Sequence, residues 1–167
     1  MERRENMSEN SNKMLSRAIR IAAEAHEGQI DKSNNLYIFH PLRVMLSVGD
    51  NKDIMSVAVL HDVLEDSSLT SLDLVRFQFS DAVIESVNAL TRDSNRESYD
   101  DFIQRVLKDR WACIVKMKDI QDNTSIFRLQ QLEMKDMKRL LAKYEKAKYT
   151  LWEAYVEACY KEYGKVL

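Results

Sequence analysis

Little in this chain interrupts a helix. Its 167 residues include 3 Gly and 1 Pro, too few to turn the corners of a sandwich or barrel. The two cysteines, Cys113 and Cys159, cannot build a disulfide framework or a zinc ribbon. Both sit in apolar helical surroundings and are expected to be buried thiols. No apolar run reaches the ~18 residues that a membrane span needs, and the N-terminus is polar, without a signal-peptide core. The chain therefore reads as cytoplasmic, with no membrane partner. Formal net charge is -2, so bulk charge leaves no footprint for a nucleic acid.

What is present is ordinary for a soluble domain: 45% hydrophobic and 31% charged residues. Leu, Ala, Met, Lys and Glu are abundant, which with scarce Gly and Pro predicts an all-α fold. The length suits one domain with a real core. Residues 1–10 are polar and expected to be disordered, leaving 11–167 as a single helical bundle. Charge is uneven along it. Residues 50–101 carry 12 Asp/Glu against 4 Lys/Arg, and residues 135–148 carry 6 Lys/Arg against 2 Asp/Glu. An acidic middle suits a cation; a basic tail helix suits either water or an anionic ligand.

The first helix is expected over residues 11–27, with Met14, Leu15, Ala18, Ile21, Ala22 and Ala25 on one face and Gly28 ending it. A loop over 28–39 leads to His40 and to Pro41, a good first helical residue. Asp50 or Asn51 caps a third helix. Thr70 with Asp73 resembles a capping box, and Ser80 caps a helix through residue 90. Further helices are expected over 99–108 and 111–124, and a long amphipathic one over 132–163. Trp111 and Trp152 read as core aromatics.

The most informative stretch is Val59-Leu60-His61-Asp62-Val63-Leu64-Glu65-Asp66. On a helix, Glu65 lies four residues after His61, and Asp66 four after Asp62, so one imidazole and three carboxylates share a short stretch next to an apolar run. Gathering that much negative charge is costly unless a cation neutralises it. A catalytic divalent metal needs several protein ligands and an open position. His40, on the neighbouring helix, and Asp119, emerging from an apolar helix, are the candidates that could join His61 and Asp62. Asp119 also reads as a salt-bridged core acid.

Together these residues resemble a known family. The runs Ala25-His26-Glu27-Gly28-Gln29, Lys32-Ser33, Tyr37-Ile38-Phe39-His40-Pro41, Leu60 through Asp66, Leu90-Thr91-Arg92, and Val115-Lys116-Met117-Lys118-Asp119 with Asn123 are similar to the hydrolase domain of the Rel/Spo alarmone enzymes. The layout is closest to that of their small stand-alone members, which belong to the HD metal-dependent phosphohydrolase superfamily. The resemblance covers about residues 12–150. It implies an HD-type helical bundle and one Mn²⁺ held by His40, His61, Asp62 and Asp119, although Fe²⁺ suits these ligands about as well. It implies that Glu65 and Asp66 position and activate water. The implied reaction removes the 3′-pyrophosphate of guanosine 3′,5′-bis(diphosphate) or its pentaphosphate, giving GDP or GTP. Crowded carboxylates at Glu65 and Asp66 should raise one pKa toward a useful range.

Lys32, Ser33 and Asn123 match positions that meet the nucleotide in that family. Arg92 and Tyr99 border the polar loop 92–98 and are expected to meet phosphate, with Arg139 and Lys143 as weaker candidates. His26 is expected to anchor the loop or support the ligands, and Tyr37 to pack in the core or, as the second choice, to line the site. Four places depart from the pattern. Asp31 stands where a basic residue is frequent, and Asn34-Asn35-Leu36 replaces Gly-x-Pro, with Asn suited to a left-handed turn. Lys118 replaces a small apolar residue, and Asp122 replaces an aromatic or His; both are expected to reshape the sugar pocket. Two other functions compete. One keeps the metal site but acts on another nucleotide, such as a 5′-nucleotide, a dinucleotide cofactor or a modified signalling nucleotide. The other is a non-enzymatic binding module, which would show a broken ligand set. A Met-rich bundle of this kind can also pair as a homodimer.

Overall fold

The computed structural model describes residues 2–32 and 34–167, with side chains from residue 9 onward apart from Ser33. Ser33, one of the expected nucleotide contacts, therefore lies outside the described residues. The chain is all-α. Its elements are α1 (Glu2–Ala25), α2 (Phe39–Ser47), α3 (Lys52–Leu60), α4 (Val63–Asp66) and α5 (Ser71–Arg76). They continue as α6 (Asp81–Leu90), α7 (Tyr99–Val106), α8 (Arg110–Asn123), α9 (Ile126–Leu129) and α10 (Met134–Tyr163). The one β-type contact among the described residues is an isolated bridge between Ile30 and Leu36.

Two helices form the centre. In α3, every residue from Ser56 to Leu60 is buried, and in α8 so are Ala112 to Val115 and Met117 to Ile120. A helix buried on nearly all sides belongs in the middle of a bundle. Around this pair, α1 packs on α3, α10 on α8, α2 on both, and α6 on α3 and α8. The face expected on α1 is the one used: Leu15, Ala18, Ile21 and Ala22 are buried, with Met14 and Ala25 partly so.

Caps follow local chemistry. The Asn51 side chain accepts from the Asp53 and Ile54 amides at the start of α3, and the Asp73 carboxylate accepts from both the Thr70 amide (2.9 Å) and hydroxyl (2.7 Å). At Gly49, φ is 93°, and an added Cβ would stand 2.9 Å from the Tyr163 ring. That ring caps the α2–α3 corner through its hydroxyl, which donates to Val48 O at 2.6 Å.

The structure corrects three expectations. The first helix begins at Glu2 rather than near residue 11; its leading residues are polar, which hid the periodicity, yet no Gly or Pro interrupts them. The His-Asp pair does not lie within a continuous helix. His61 caps the end of α3 and Asp62 precedes α4. Trp152 is 49% exposed rather than a core residue. Trp111 does pack against the core, and Cys113 and Cys159 are buried free thiols, as expected. Burial pushes the Cys113 thiol up to about 12.

Candidate metal centre and its cavity

The site forms where α2, the α3–α4 junction and α8 meet. Successive residues of a regular helix point about 100° apart, so a His-Asp pair inside one would diverge. The break at Asp62 removes that constraint. His61 Nε2 lies 3.0 Å from Asp62 Oδ2 and 3.8 Å from Asp119 Oδ1. His40 Nε2 lies 3.1 Å from Asp119 Oδ1 and 3.8 Å from Asp62 Oδ2. His40, His61 and Asp119 are buried and Asp62 is partly so. His40, His61 and Asp62 thus offer ligand atoms close enough to share one ion, with Asp119 beside both imidazoles.

Their hydrogen bonds suit metal binding. His61 Nδ1 donates to Ala58 O at 2.7 Å, and its buried Nε2 has no hydrogen-bond partner. His40 Nδ1 lies 2.7 Å from Asp122 Oδ2. Each ring is therefore held with Nδ1 as donor and Nε2 directed at the carboxylates, the arrangement in which imidazole ligates a metal. A divalent ion sits about 2.0–2.2 Å from its N and O ligands, which sets neighbouring donors roughly 3 Å apart. Donor spacings of 3.0 to 3.8 Å match that requirement. Two imidazoles and two carboxylates suit a first-row divalent metal.

Charge in the cluster is strongly coupled. Burial opposes the His61 imidazolium, but Asp62 and Asp119 outweigh it and raise the pKa to about 9. Burial likewise opposes ionisation of Asp119, yet Lys116 and the imidazoles hold its carboxyl well below the usual range. Lys116 donates to Asp119 Oδ2 at 2.7 Å. Asn123 Nδ2 donates to Oδ1 of the same carboxylate. The Tyr37 hydroxyl donates to Asp62 Oδ2, so Tyr37 serves the site instead of merely packing in the core.

Beside the cluster lies a cavity of about 390 Å³. Glu65 and Asp66 stand at its exposed rim. Burial first, then the neighbouring carboxylates, raises the pKa of both. The Arg92 amide donates to Glu65 Oε2 at 3.1 Å. Lys32, Arg92, Tyr99 and Asn123 all line the cavity. Lys32 comes from the loop before α2, which is held by Tyr37 N to Gln29 O (3.0 Å) and Asp31 N to Asn35 O (2.8 Å). Asn34 takes the left-handed conformation, φ 62°, so the turn survives without glycine. His26 anchors this loop. Its Nδ1 lies 2.8 Å from Gln29 Oε1, and Gln29 Nε2 donates to Asp66 O at 2.9 Å.

Two of the departures, Lys118 and Asp122, do not line the cavity. Lys118 is buried, with its ammonium 5.7 Å from the Tyr155 ring centre. Asp122 supports His40 and pairs with Arg43 through Nε at 2.7 Å and Nη2 at 3.0 Å, with Arg128 at 3.4 Å. These partners hold its carboxyl down to about 2 against the effect of burial. Sequence reading gave no role to Arg43, Lys116 or Arg128, and it missed the contact of Asp122 with His40. A signal existed: His40 and Arg43 share a face of α2 at spacing three, as Asp119 and Asp122 do on α8. Arg139 is exposed and does not line the cavity, whereas Lys143 does.

No protein-family model matches the chain. Curated relatives do. The chain is 28% identical over 130 residues to the bifunctional (p)ppGpp synthase/hydrolase SpoT of Escherichia coli, a match covering 70% of this chain and 18% of that protein. It is 29% identical over 119 residues to a guanosine-3′,5′-bis(diphosphate) 3′-pyrophosphohydrolase of Aquifex aeolicus, covering 65% and 17% respectively. The chain thus spans less than a fifth of the length of these relatives. Among solved structures, one described as a metazoan ortholog of SpoT that hydrolyzes ppGpp superposes with a TM-score of 0.69 at 20% identity, covering 86% of this chain and 94% of that one. The sequence matches are to Rel/Spo-type enzymes, which the motifs resemble, and the superposition shows the same all-α fold.

Proposed function

We propose that this protein is a divalent-metal-dependent phosphohydrolase that removes the 3′-pyrophosphate from guanosine 3′,5′-bis(diphosphate) and its pentaphosphate, giving GDP or GTP. The observation that carries this reading is the clustering of His40, His61 and Asp62 at metal-binding spacing, with Asp119 Oδ1 3.1 Å from His40 Nε2 and 3.8 Å from His61 Nε2, beside a cavity rimmed by Glu65 and Asp66. The names of the Escherichia coli and Aquifex relatives point to the same substrate.

In this reading the four side chains hold one Mn²⁺. When bound, the ion supplies a lowered pKa for water and polarises a phosphate oxygen. The protein residues do the rest. Glu65, with its raised pKa, accepts the proton of the attacking water, and Asp66 orients that water. The Arg92 amide fixes the Glu65 carboxylate through the bond to Oε2. Lys32, Ser33, Asn123, Arg92 and Tyr99 contact the nucleotide. Tyr37 and Lys116 hold Asp62 and Asp119 in place.

The test is product identity. Purified protein with Mn²⁺ is expected to release pyrophosphate and GDP from guanosine 3′,5′-bis(diphosphate), with chelation of the metal stopping the reaction. Asp31 favours a second reading, because it lines the cavity where the related pattern has a basic residue. A different nucleotide would then occupy the same metal site. Faster turnover of a 5′-nucleotide, a dinucleotide cofactor or a modified nucleotide in the same panel would select that reading.

A further inference from the structure

Helix α10 carries two apolar stripes, and the bundle covers one of them. Tyr144, Ala147, Leu151, Tyr155 and Ala158 are buried, on a helix that packs against α8 and α7. Tyr149, Trp152, Val156 and Tyr160 follow one another at spacings of three, four and four. They form a second stripe, turned roughly 100° around the helix from the first. Tyr149 is 87% exposed, Trp152 49% and Tyr160 58%, with Val156 partly buried between them. The stripe stands on fixed support. The Trp152 ring lies 5.9 Å from that of buried Tyr155, and just beyond Tyr160 the Tyr163 hydroxyl fastens the helix to Val48 O.

The three rings leave roughly 400 Å² of apolar surface open, taking ~200 Å² for a whole aromatic side chain. A patch of that size on one face is often functional, and aromatic residues are enriched in contact surfaces. Pairing the stripe with itself across a two-fold axis buries it twice. The rings alone then supply roughly 800 Å², half of the ~1,600 Å² total of a standard interface.

Charges at the edges select the occupant. Lys148 flanks the stripe on one side and Glu153 on the other, five residues apart. That is the relation in which two parallel helices in register exchange ion pairs, the cation of each copy meeting the carboxylate of the other. Both side chains are exposed, and among the described residues neither has an ion pair within the chain. Neighbouring charges are already matched, Lys146 with Asp100 and Lys161 with Glu157. A face that is apolar along its centre and complementary to itself at its edges fits a second copy.

We propose that the Tyr149, Trp152 and Tyr160 face of α10 joins two copies of this chain, with their α10 helices side by side, parallel and in register. The two Trp152 rings meet near the centre, and two Lys148–Glu153 pairs close the edges. None of these residues lines the cavity, so pairing is independent of the reaction proposed above.

Sedimentation velocity on the full chain across about 1–100 μM, the range suited to a small interface, tests this. Wild-type protein is expected to pass from monomer to dimer within that range. Tyr149→Glu and Trp152→Glu are each expected to stay monomeric throughout, with helicity and Tm as in wild type. Lys148→Glu is expected to weaken pairing about 5-fold or more, because two like-charge contacts replace two ion pairs. Adding Glu153→Lys to Lys148→Glu is expected to restore it. Wild-type protein that remains monomeric at the highest concentration overturns the proposal. So does a dimer that survives both aromatic substitutions, or a double charge reversal that pairs no more tightly than Lys148→Glu alone. Tyr149→Glu keeps the test decisive if Trp152→Glu fails to fold, since Tyr149 is almost wholly exposed.

Discussion

At each imidazole, a hydrogen bond on one ring nitrogen decides what the other can do. Ala58 O occupies His61 Nδ1, and Asp122 occupies His40 Nδ1, so both Nε2 atoms are kept for the centre. Asp122→Asn keeps the shape but can offer its amide N–H to Nδ1, favouring the wrong tautomer. It is expected to weaken Mn²⁺ affinity about 10–100-fold, read by titration of the metal-free protein; unchanged affinity would show that Asp122 serves only its arginine partners. Asp62→Ala is expected to abolish metal binding and turnover together. Glu65→Gln is expected to retain a full complement of metal while kcat falls about 10²–10⁴-fold. A wild-type rate in Glu65→Gln, measured with metal content, would remove Glu65 from the proton-accepting role.

At the scale of elements, the loop between α6 and α7 places Arg92 and abuts Glu65, and Arg105 of α7 holds that loop. Arg105 Nη1 donates to Asn88 O (2.8 Å) and Ala89 O (2.9 Å), and Nη2 to Thr91 O (2.8 Å), with Glu97 completing the pair. These carbonyls lie at the end of α6 and just beyond it, where a full set of helical partners is lacking. Arg105→Met is expected to cost about 2 kcal/mol in chemical denaturation and to raise KM, because the loop carrying Arg92 loosens. A stability loss with unchanged KM would show that the loop keeps its place without Arg105.

At the scale of the molecule, the buried centre couples metal, protons and stability. The unfolded His61 has a pKa of about 6.5, and the metal-free folded protein raises it to about 9. A raised folded pKa stabilises the fold fully below about 6.5, and that contribution is lost as pH rises through about 9. The depressed Asp62 pKa is the other side of the same pairing. Metal must displace these protons, so its binding strengthens with pH over the same interval. Metal-free protein is therefore expected to lose thermal stability from pH 6.5 to 9, while the rise in Tm on adding Mn²⁺ grows. A rise in Tm that shrinks or stays constant across that interval would contradict proton–metal competition at His61.

The linear chain itself determined the all-α class, the apolar face of α1, the caps at Thr70 and Ser80, and the short list containing His40, His61, Asp62 and Asp119. Each of these depends on propensity, periodicity or a chemical type placed within a few residues, which are local properties. The chain did not disclose the break at Asp62, because nothing within that run forbids a continuous helix; packing of the α3–α4 junction against α2 and α8 sets it. Nor did it disclose that Asp122 would face His40, 82 positions away, or that Lys143 would meet Arg92 around Tyr99. Those partnerships depend on which helix faces meet, and only the closed bundle fixes that.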